Sequence, residues 1–421
     1  MTIKEAKLEV IHTVKAYLKK NEKGEYKIPE IRQRPLLLMG PPGIGKTQIM
    51  EQVAAETGIG LVSYTITHHT RQTAVGLPFI KEEKFRDVTY QVTEYTMSEI
   101  IASIMRKIEE GYPEGILFID EINCVSETLA PTMLQFLQCK TFGNQKIPSG
   151  WIIVSAGNPP EYNRSVREFD VVTLDRVRQI SVEADYEVWN EYAVSQGIHR
   201  SIRGYLDLYP EHFYRMETDT DGRHFVTARG WEDLSHLIYM YEESGFDITE
   251  DVIYEYLPHH EVAEGFLLYL DLYHKYELEY DVRGILDGHV PGAVYERLLR
   301  AGFDERVIVV QLLLNALTGM FSEYIEQTSR IDTIQSGTDK SNDESREKCA
   351  AALSNAFSFM ENAFPSGQEM VIFVNELTLS VDSVLFMAGS PDEKYLKYSK
   401  ELMIGERRRK LLDEMDGDMK Y

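Results

Sequence analysis

The chain is poor in cysteine and in positive charge, and each shortage excludes something. Its three cysteines, Cys124, Cys139 and Cys349, are odd in number and form no C-x-x-C pair, so neither a disulfide framework nor a thiolate metal site is expected. Reduced thiols suit a cytoplasmic protein, which is the expected location. Lys and Arg number 44 against 68 Asp and Glu, a formal net charge of -24. Phosphate backbones are bound chiefly by clustered Lys and Arg, so this field weighs against generic nucleic-acid binding. The one dense basic run, Arg407-Arg408-Arg409-Lys410, reads more simply as a solvated helix face. The first residues after Met1 lack the apolar core of a signal peptide, and no apolar run of membrane-spanning length is expected.

What the chain does have is a phosphate-cradling loop. The apolar run Pro35-Leu36-Leu37-Leu38-Met39 leads into Gly40-Pro41-Pro42-Gly43-Ile44-Gly45-Lys46-Thr47, with the spacing G-x-x-x-x-G-K-[ST]. Glycines let backbone N–H groups turn inward on phosphates, Lys46 supplies a cation, and Thr47 offers a hydroxyl to Mg2+. From Gln48 to Thr57, Ile49, Met50, Val53 and Ala54 share one helical face, and Gly58 ends it. Gly40 to Thr47, with Gln48, are therefore the candidate nucleotide-binding residues.

A second strand, Leu61–Thr67, is followed by an irregular stretch over about 68–95 that reads as an insertion, with Val88–Val92 as a short extended piece. Ser98 is placed to cap a helix carrying Ile100, Ile101, Ile104, Met105 and Ile108. The buried run Ile116-Leu117-Phe118-Ile119 then delivers Asp120 and Glu121 at its carboxyl end. One acid can serve Mg2+ and the other can deprotonate water, provided the strand ends there, because along a strand adjacent side chains point apart. A strand simply finished by acids at a turn is the plain alternative. Trp151–Ala156 forms another apolar run, ending at Gly157-Asn158-Pro159. The Asn158 amide can meet both a phosphate oxygen and a water, although an Asn before Pro is also an ordinary turn. Between these lie an apolar helix with Met133, Leu134, Phe136 and Leu137, and a hairpin signal at Gly143-Asn144 within about 140–150.

In this order the elements resemble the Walker A, Walker B, pre-sensor hairpin and sensor 1 segments of an AAA+ ATPase, and more narrowly of its MoxR-like branch, over about residues 30 to 260. The insertion is similar to that branch's helix-2 insert. Leu174-Asp175-Arg176-Val177 resembles the segment whose arginine reaches a neighbouring subunit's nucleotide, and Thr227-Ala228-Arg229-Gly230-Trp231-Glu232 resembles the one that opens a lid helix and carries the sensor 2 arginine. The resemblance implies an α/β fold with a P-loop parallel-sheet core (1–183), an all-helical lid (184–260) and a helical C-terminal extension (261–328). It implies ATP and Mg2+ as cofactors, Thr47 and Asp120 as metal-binding residues, and Lys46, Glu121, Asn158, Arg176 and Arg229 as catalytic ones. The partners implied are copies of the chain itself in a ring, expected as a hexamer, a protein client, and a von Willebrand factor A domain protein.

Other readings stay open at this point. Arg178 and Arg167 compete with Arg176 for the role in trans; a surface ion pair is the plain alternative for Arg176, and a structural salt bridge for Arg229. A nucleic-acid-linked motor of a restriction-type system has the same core, and a nucleotide-gated scaffold would need little turnover. His68-His69 lacks a third ligand at suitable spacing and is read as polar surface. Phe266–Tyr273 with Tyr276 reads as helix core. Residues 329–348 are polar and charged, suggesting a linker before a final helical segment at 349–421.

Overall fold

The computed structural model describes residues 1–402 except 69, 87, 143–144, 163–168, 219–221, 333–339 and 365–366. It divides into two units, Met1–Val188 with Thr227–Arg229, and Trp189–Val226 with the chain from Gly230 onward.

The first unit begins with α1 (Ile3–Tyr17), closed at its start by a reciprocal capping box between Thr2 and Glu5. Then come β1 (Leu36–Met39), α2 (Gln48–Thr57), β2 (Gly60–Thr65), α3 (Arg71–Val75), β3 (Pro78–Phe85), β4 (Val88–Tyr95), α4 (Glu99–Glu109) and β5 (Gly115–Asp120). The series ends with α5 (Ala130–Cys139), β6 (Thr141–Phe142), β7 (Gln145–Lys146), β8 (Trp151–Gly157), α6 (Val171–Leu174) and β9 (Arg178–Ser181). Five strands pair in the order β2-β5-β8-β1-β9, all parallel. Both faces are covered, which is why β5 and β8 are apolar almost throughout instead of alternating. The carboxyl ends of β1, β5 and β8 lie side by side, where ligands of open parallel sheets bind.

Several local expectations hold. Helix α2 spans Gln48–Thr57, and Gly58 caps it in the left-handed conformation at φ +68°. Others need correction. The insert is a full antiparallel hairpin of β3 and β4, not one short extended piece. Its first strand carries Lys81-Glu82-Glu83-Lys84, and both faces meet solvent, so the polar/apolar alternation that marks a half-buried strand is missing. Ser98 occupies the N-cap position of α4, but its hydroxyl donates to the Ala74 carbonyl at 2.6 Å instead of capping the helix. Met105 on that helix is exposed. The two ends of the expected hairpin pair as β6 and β7, while its Gly143-Asn144 tip lies outside the described residues.

The second unit takes in the greater part of α7 (Tyr186–Ser195), then α8 (Arg200–Leu208), the antiparallel pair β10 (Arg215–Thr218) and β11 (Arg223–Val226), and most of α9 (Ala228–Ser244). The helices α10 (Glu250–Tyr256), α11 (His260–Glu279), α12 (Val282–Leu286), α13 (Gly292–Arg300), α14 (Phe303–Asp332), α15 (Lys340–Ala363), α16 (Gln368–Leu379) and α17 (Val381–Gly389) follow. Helix α14 is the hub, packed by α8, α11, α12, α15, α16 and α17. Phe266, Tyr269, Leu270, Tyr273 and Tyr276 of α11 are buried, as helix core should be.

Three expectations about this region change. The lid expected as all-helical over 184–260 contains the antiparallel pair of β10 and β11. Phe303–Thr328 is long and apolar enough to cross a membrane by length and composition, against the reading that no such stretch exists. Half of it is buried inside the unit, and a helix contacted on many sides is apolar all round for that reason alone. The stretch 329–348, expected as a linker, is helical at both ends: α14 runs to Asp332 and α15 begins at Lys340. The residues just before Cys349 face mostly solvent, and buried positions begin there, so the opening turns of α15 have the composition of a linker. Arg407 to Lys410 lie outside the described residues.

Candidate active site

The loop after β1 is shaped by glycine at three positions. A Cβ on Gly40 would stand 2.5 Å from the Val182 carbonyl oxygen, while Gly43 and Gly45 adopt φ of +74° and +88°. Lys46 follows, 8% exposed, its Nζ donating to the carbonyls of Gly40 (2.8 Å) and Pro41 (2.6 Å) and to Oδ1 of Asn158 (2.9 Å). All three acceptors are neutral, and among the described residues Lys46 forms no ion pair with a carboxylate. A buried ammonium without a counter-ion is costly, and an anion arriving at the loop would relieve that cost. Burial accordingly pulls the Lys46 pKa down to about 8; Asp120 pushes it up and Arg229 pushes it down further.

That displacement yields a pH prediction. Below about pH 8 the folded protein carries a charged, buried ammonium at a cost absent from the unfolded chain, and the cost lifts as pH rises from about 8 toward 10.5. Nucleotide binding has the opposite sign, because phosphate favours the protonated form. Affinity for ATP, followed by calorimetry, is expected to weaken about tenfold between pH 7 and pH 9. A flat profile would show that the ammonium does not meet the phosphates.

The acid pair sits where β5 ends. Asp120 is the last strand residue, and Glu121 turns out of the strand at φ +55°, a left-handed conformation. The turn keeps both carboxylates beside the loop, where a continuing strand would send them to opposite faces. Asp120 Oδ2 accepts the Thr47 hydroxyl at 2.7 Å, and its Oδ1 accepts the Glu121 N–H at 2.9 Å. Glu121 Oε2 accepts the hydroxyl of Thr67 at 2.8 Å. Thr67 lies just beyond β2, which pairs with β5 in the register Thr65↔Asp120. Asn158 stands at the tip of β8 and bonds to Lys46 through its side chain. Lys46, Thr47, Asp120, Glu121 and Asn158 therefore converge around one loop.

The arginines separate clearly. Arg229, in the first turn of α9, belongs to the first unit and lies close enough to Lys46 to affect its titration. The neighbouring Thr227 side chain would be 3.0 Å from a Cβ on Gly43, so the start of α9 touches the phosphate loop. Arg229 is exposed, and its guanidinium makes no hydrogen bond or ion pair among the described residues. Arg176, just after α6, is equally exposed, with Asp170 near enough to feel its charge. It is not brought to the loop of its own chain by any bond among the described residues. Arg178 is occupied: it donates to the Thr13 hydroxyl at 2.9 Å and pairs with Glu9, both on α1. Its guanidinium is thus engaged within its own chain, unlike that of Arg176. Arg167 and His69 lie outside the described residues.

Sequence reasoning missed Thr67 and Asn123. Asn123 is buried and its Nδ2 donates to the Asn158 carbonyl at 2.8 Å. The only sequence signal for either is position: a hydroxyl just past a strand end, and an amide soon after an acid pair.

The donors present fit a nucleoside triphosphate with Mg2+. A buried ammonium without a counter-ion suits phosphate, and a hydroxyl hydrogen-bonded to a carboxylate is the hard oxygen set that Mg2+ takes together with phosphate oxygens. No cluster of three or more His, Cys, Asp or Glu among the described residues could hold a different metal alone.

Comparison with known proteins agrees. Residues 36–170 match the family described as ATPase family associated with various cellular activities (AAA). That stretch contains the loop, the acid pair and Asn158, and the match supports an AAA+ ATPase with ATP as its nucleotide. Arg176 and Arg229 lie beyond the matched residues. No curated protein matches the chain.

Proposed function

We propose that this chain is a MoxR-like AAA+ ATPase that assembles with copies of itself into a ring, a hexamer, and spends ATP hydrolysis on remodelling or maturing a protein client. A von Willebrand factor A domain protein is the proposed partner, and the cytoplasm the proposed setting. The observation that carries the hydrolytic part is Lys46, a buried cation with only neutral acceptors beside a Thr47–Asp120 pair. The MoxR type, the client and the partner rest on the motif resemblance.

In this reading Lys46 and the loop amides bind the β- and γ-phosphates. Thr47 and Asp120 hold Mg2+, which supplies charge neutralisation on the phosphate oxygens. Glu121 takes the proton from the attacking water, and Asn158 orients that water with its amide. Arg229 of the same subunit and Arg176 of the next supply permanently charged, forked donors for the charge that develops on the transferring phosphoryl.

The reading predicts that turnover depends on assembly. Phosphate release per subunit should climb steeply with protein concentration and level off where sedimentation shows a ring. Turnover per subunit that stays constant down to the monomer would remove the ring from the mechanism. Release that requires DNA or RNA would instead favour the nucleic-acid motor.

A further inference from the structure

We infer that Asn123 is a positioning residue for the hydrolytic step: by holding the main chain of Asn158 it sets where the Asn158 side-chain amide stands. This rests on the ATPase reading above and adds to it a residue that meets neither nucleotide nor metal.

Asn123 lies on the turn that leaves β5, two residues past Glu121, and is 2% exposed. Its Nδ2 donates to the Asn158 carbonyl at 2.8 Å. The opposite amide orientation would set two acceptor oxygens against each other, so the donor must face Asn158. The other end of the amide gains nothing comparable, since Oδ1 is buried without a hydrogen-bond partner among the described residues. An apolar side chain of equal size would remove that unpaired acceptor but leave the Asn158 carbonyl without this donor, so the two stability effects oppose each other. What Asn supplies and an apolar residue cannot is the bond to Asn158.

The strand tip is built to receive it. A Cβ on Gly157 would come within 2.6 Å of Asn123 Oδ1, so the bare α-carbon there lets the amide lie against the end of β8. One step earlier, Ile122 N–H donates to the Ala156 carbonyl at 2.9 Å. These two bonds tie the turn that carries the acid pair to the strand end that carries Asn158. From the other side Lys46 holds the Asn158 Oδ1. Asn158 is thus gripped through its main chain by Asn123 and through its side chain by the phosphate-binding lysine. A shift of either partner displaces the amide relative to Glu121, and misplacing a catalytic group by about 1 Å can cost on the order of a hundredfold in rate.

The test uses the full chain with Asn123→Leu, Asn158→Ala and the double variant, measuring kcat and KM for ATP, the dissociation constant of a fluorescent ATP analogue, and the thermal midpoint. Asn123→Leu should lower kcat about tenfold with affinity within about twofold of wild type. Its midpoint should stay within a few degrees of wild type, since the lost bond and the removed unpaired acceptor offset each other. On the Asn158→Ala background the same substitution should cost nothing further, because the amide it positions is gone. Wild-type kcat in Asn123→Leu, or an equal loss on the Asn158→Ala background, overturns the inference while leaving the ATPase reading standing. Absence of phosphate release from wild type overturns both. Should the leucine fail to fold, Asn123→Ser, too short to reach the Asn158 carbonyl, carries the same test with the same criteria.

Discussion

Replacing Glu121 by Gln is expected to cut phosphate release by about a hundred- to a thousandfold while nucleotide stays bound. The substitution is nearly isosteric, and two features of the site make it a clean one. Glu121 already sits at φ +55°, and Gln bears the same backbone cost there, so no new strain enters. The Thr67 hydroxyl, which donates to Oε2, finds an amide oxygen in the same place. What vanishes is the basic oxygen able to accept a proton from water. Removing one negative charge beside the phosphates should also leave ATP affinity unchanged or improved, so the defect falls on kcat. Measured as inorganic phosphate release at saturating ATP, the variant separates an enzyme from a nucleotide-gated scaffold. Equal release by wild type and Glu121→Gln would mean that hydrolysis is not what this site does.

The contrast between Glu121 and its partners shows what could be read from the chain. The loop from Gly40 to Thr47, helix α2 and its end at Gly58 follow from rules acting over a few residues: glycine freedom, helical period, a left-handed cap. The acid pair and Asn158 were legible because each closes an apolar run, and apolar runs in a parallel sheet end near ligands. Thr67 and Asn123 were not, because their meaning lies in bonds to residues 54 and 35 positions away, fixed by the register of β2 on β5 and of β5 on β8. Arg178 illustrates the same limit. In sequence it stands beside Arg176 with identical chemistry, and only its bonds to Glu9 and Thr13, more than 160 positions away, set the two apart. The hairpin of β3 and β4 and the opening of α15 were misread for another reason: elements that bury neither face carry no periodic signal.

Arg176→Ala should lower turnover by about a thousandfold without weakening nucleotide binding, and the loss should be curable by a subunit that cannot itself bind ATP. The argument starts from geometry. Among the described residues the Arg176 guanidinium makes no hydrogen bond or ion pair in its own chain, whereas that of Arg178 is bound to α1. It emerges from α6, where Val171 is 81% and Val172 55% exposed, an apolar patch that a neighbouring copy would cover. In the proposed ring, a guanidinium placed there would serve the adjacent site. Subunits with Arg176→Ala keep an intact phosphate loop but offer no cation to their neighbour; subunits with Lys46→Ala offer the cation but hold no nucleotide. Each alone is expected to be inactive. Mixed in equal amounts and allowed to exchange, they should recover up to about a quarter of wild-type turnover, because half of all loops are intact and about half of those stand next to an intact arginine. If Arg176 acted within its own subunit, no mixture could combine the two halves, and activity would stay at the level of the separate variants. The mixing experiment therefore decides whether the exposed arginine is a surface residue or the group through which one subunit permits hydrolysis in the next.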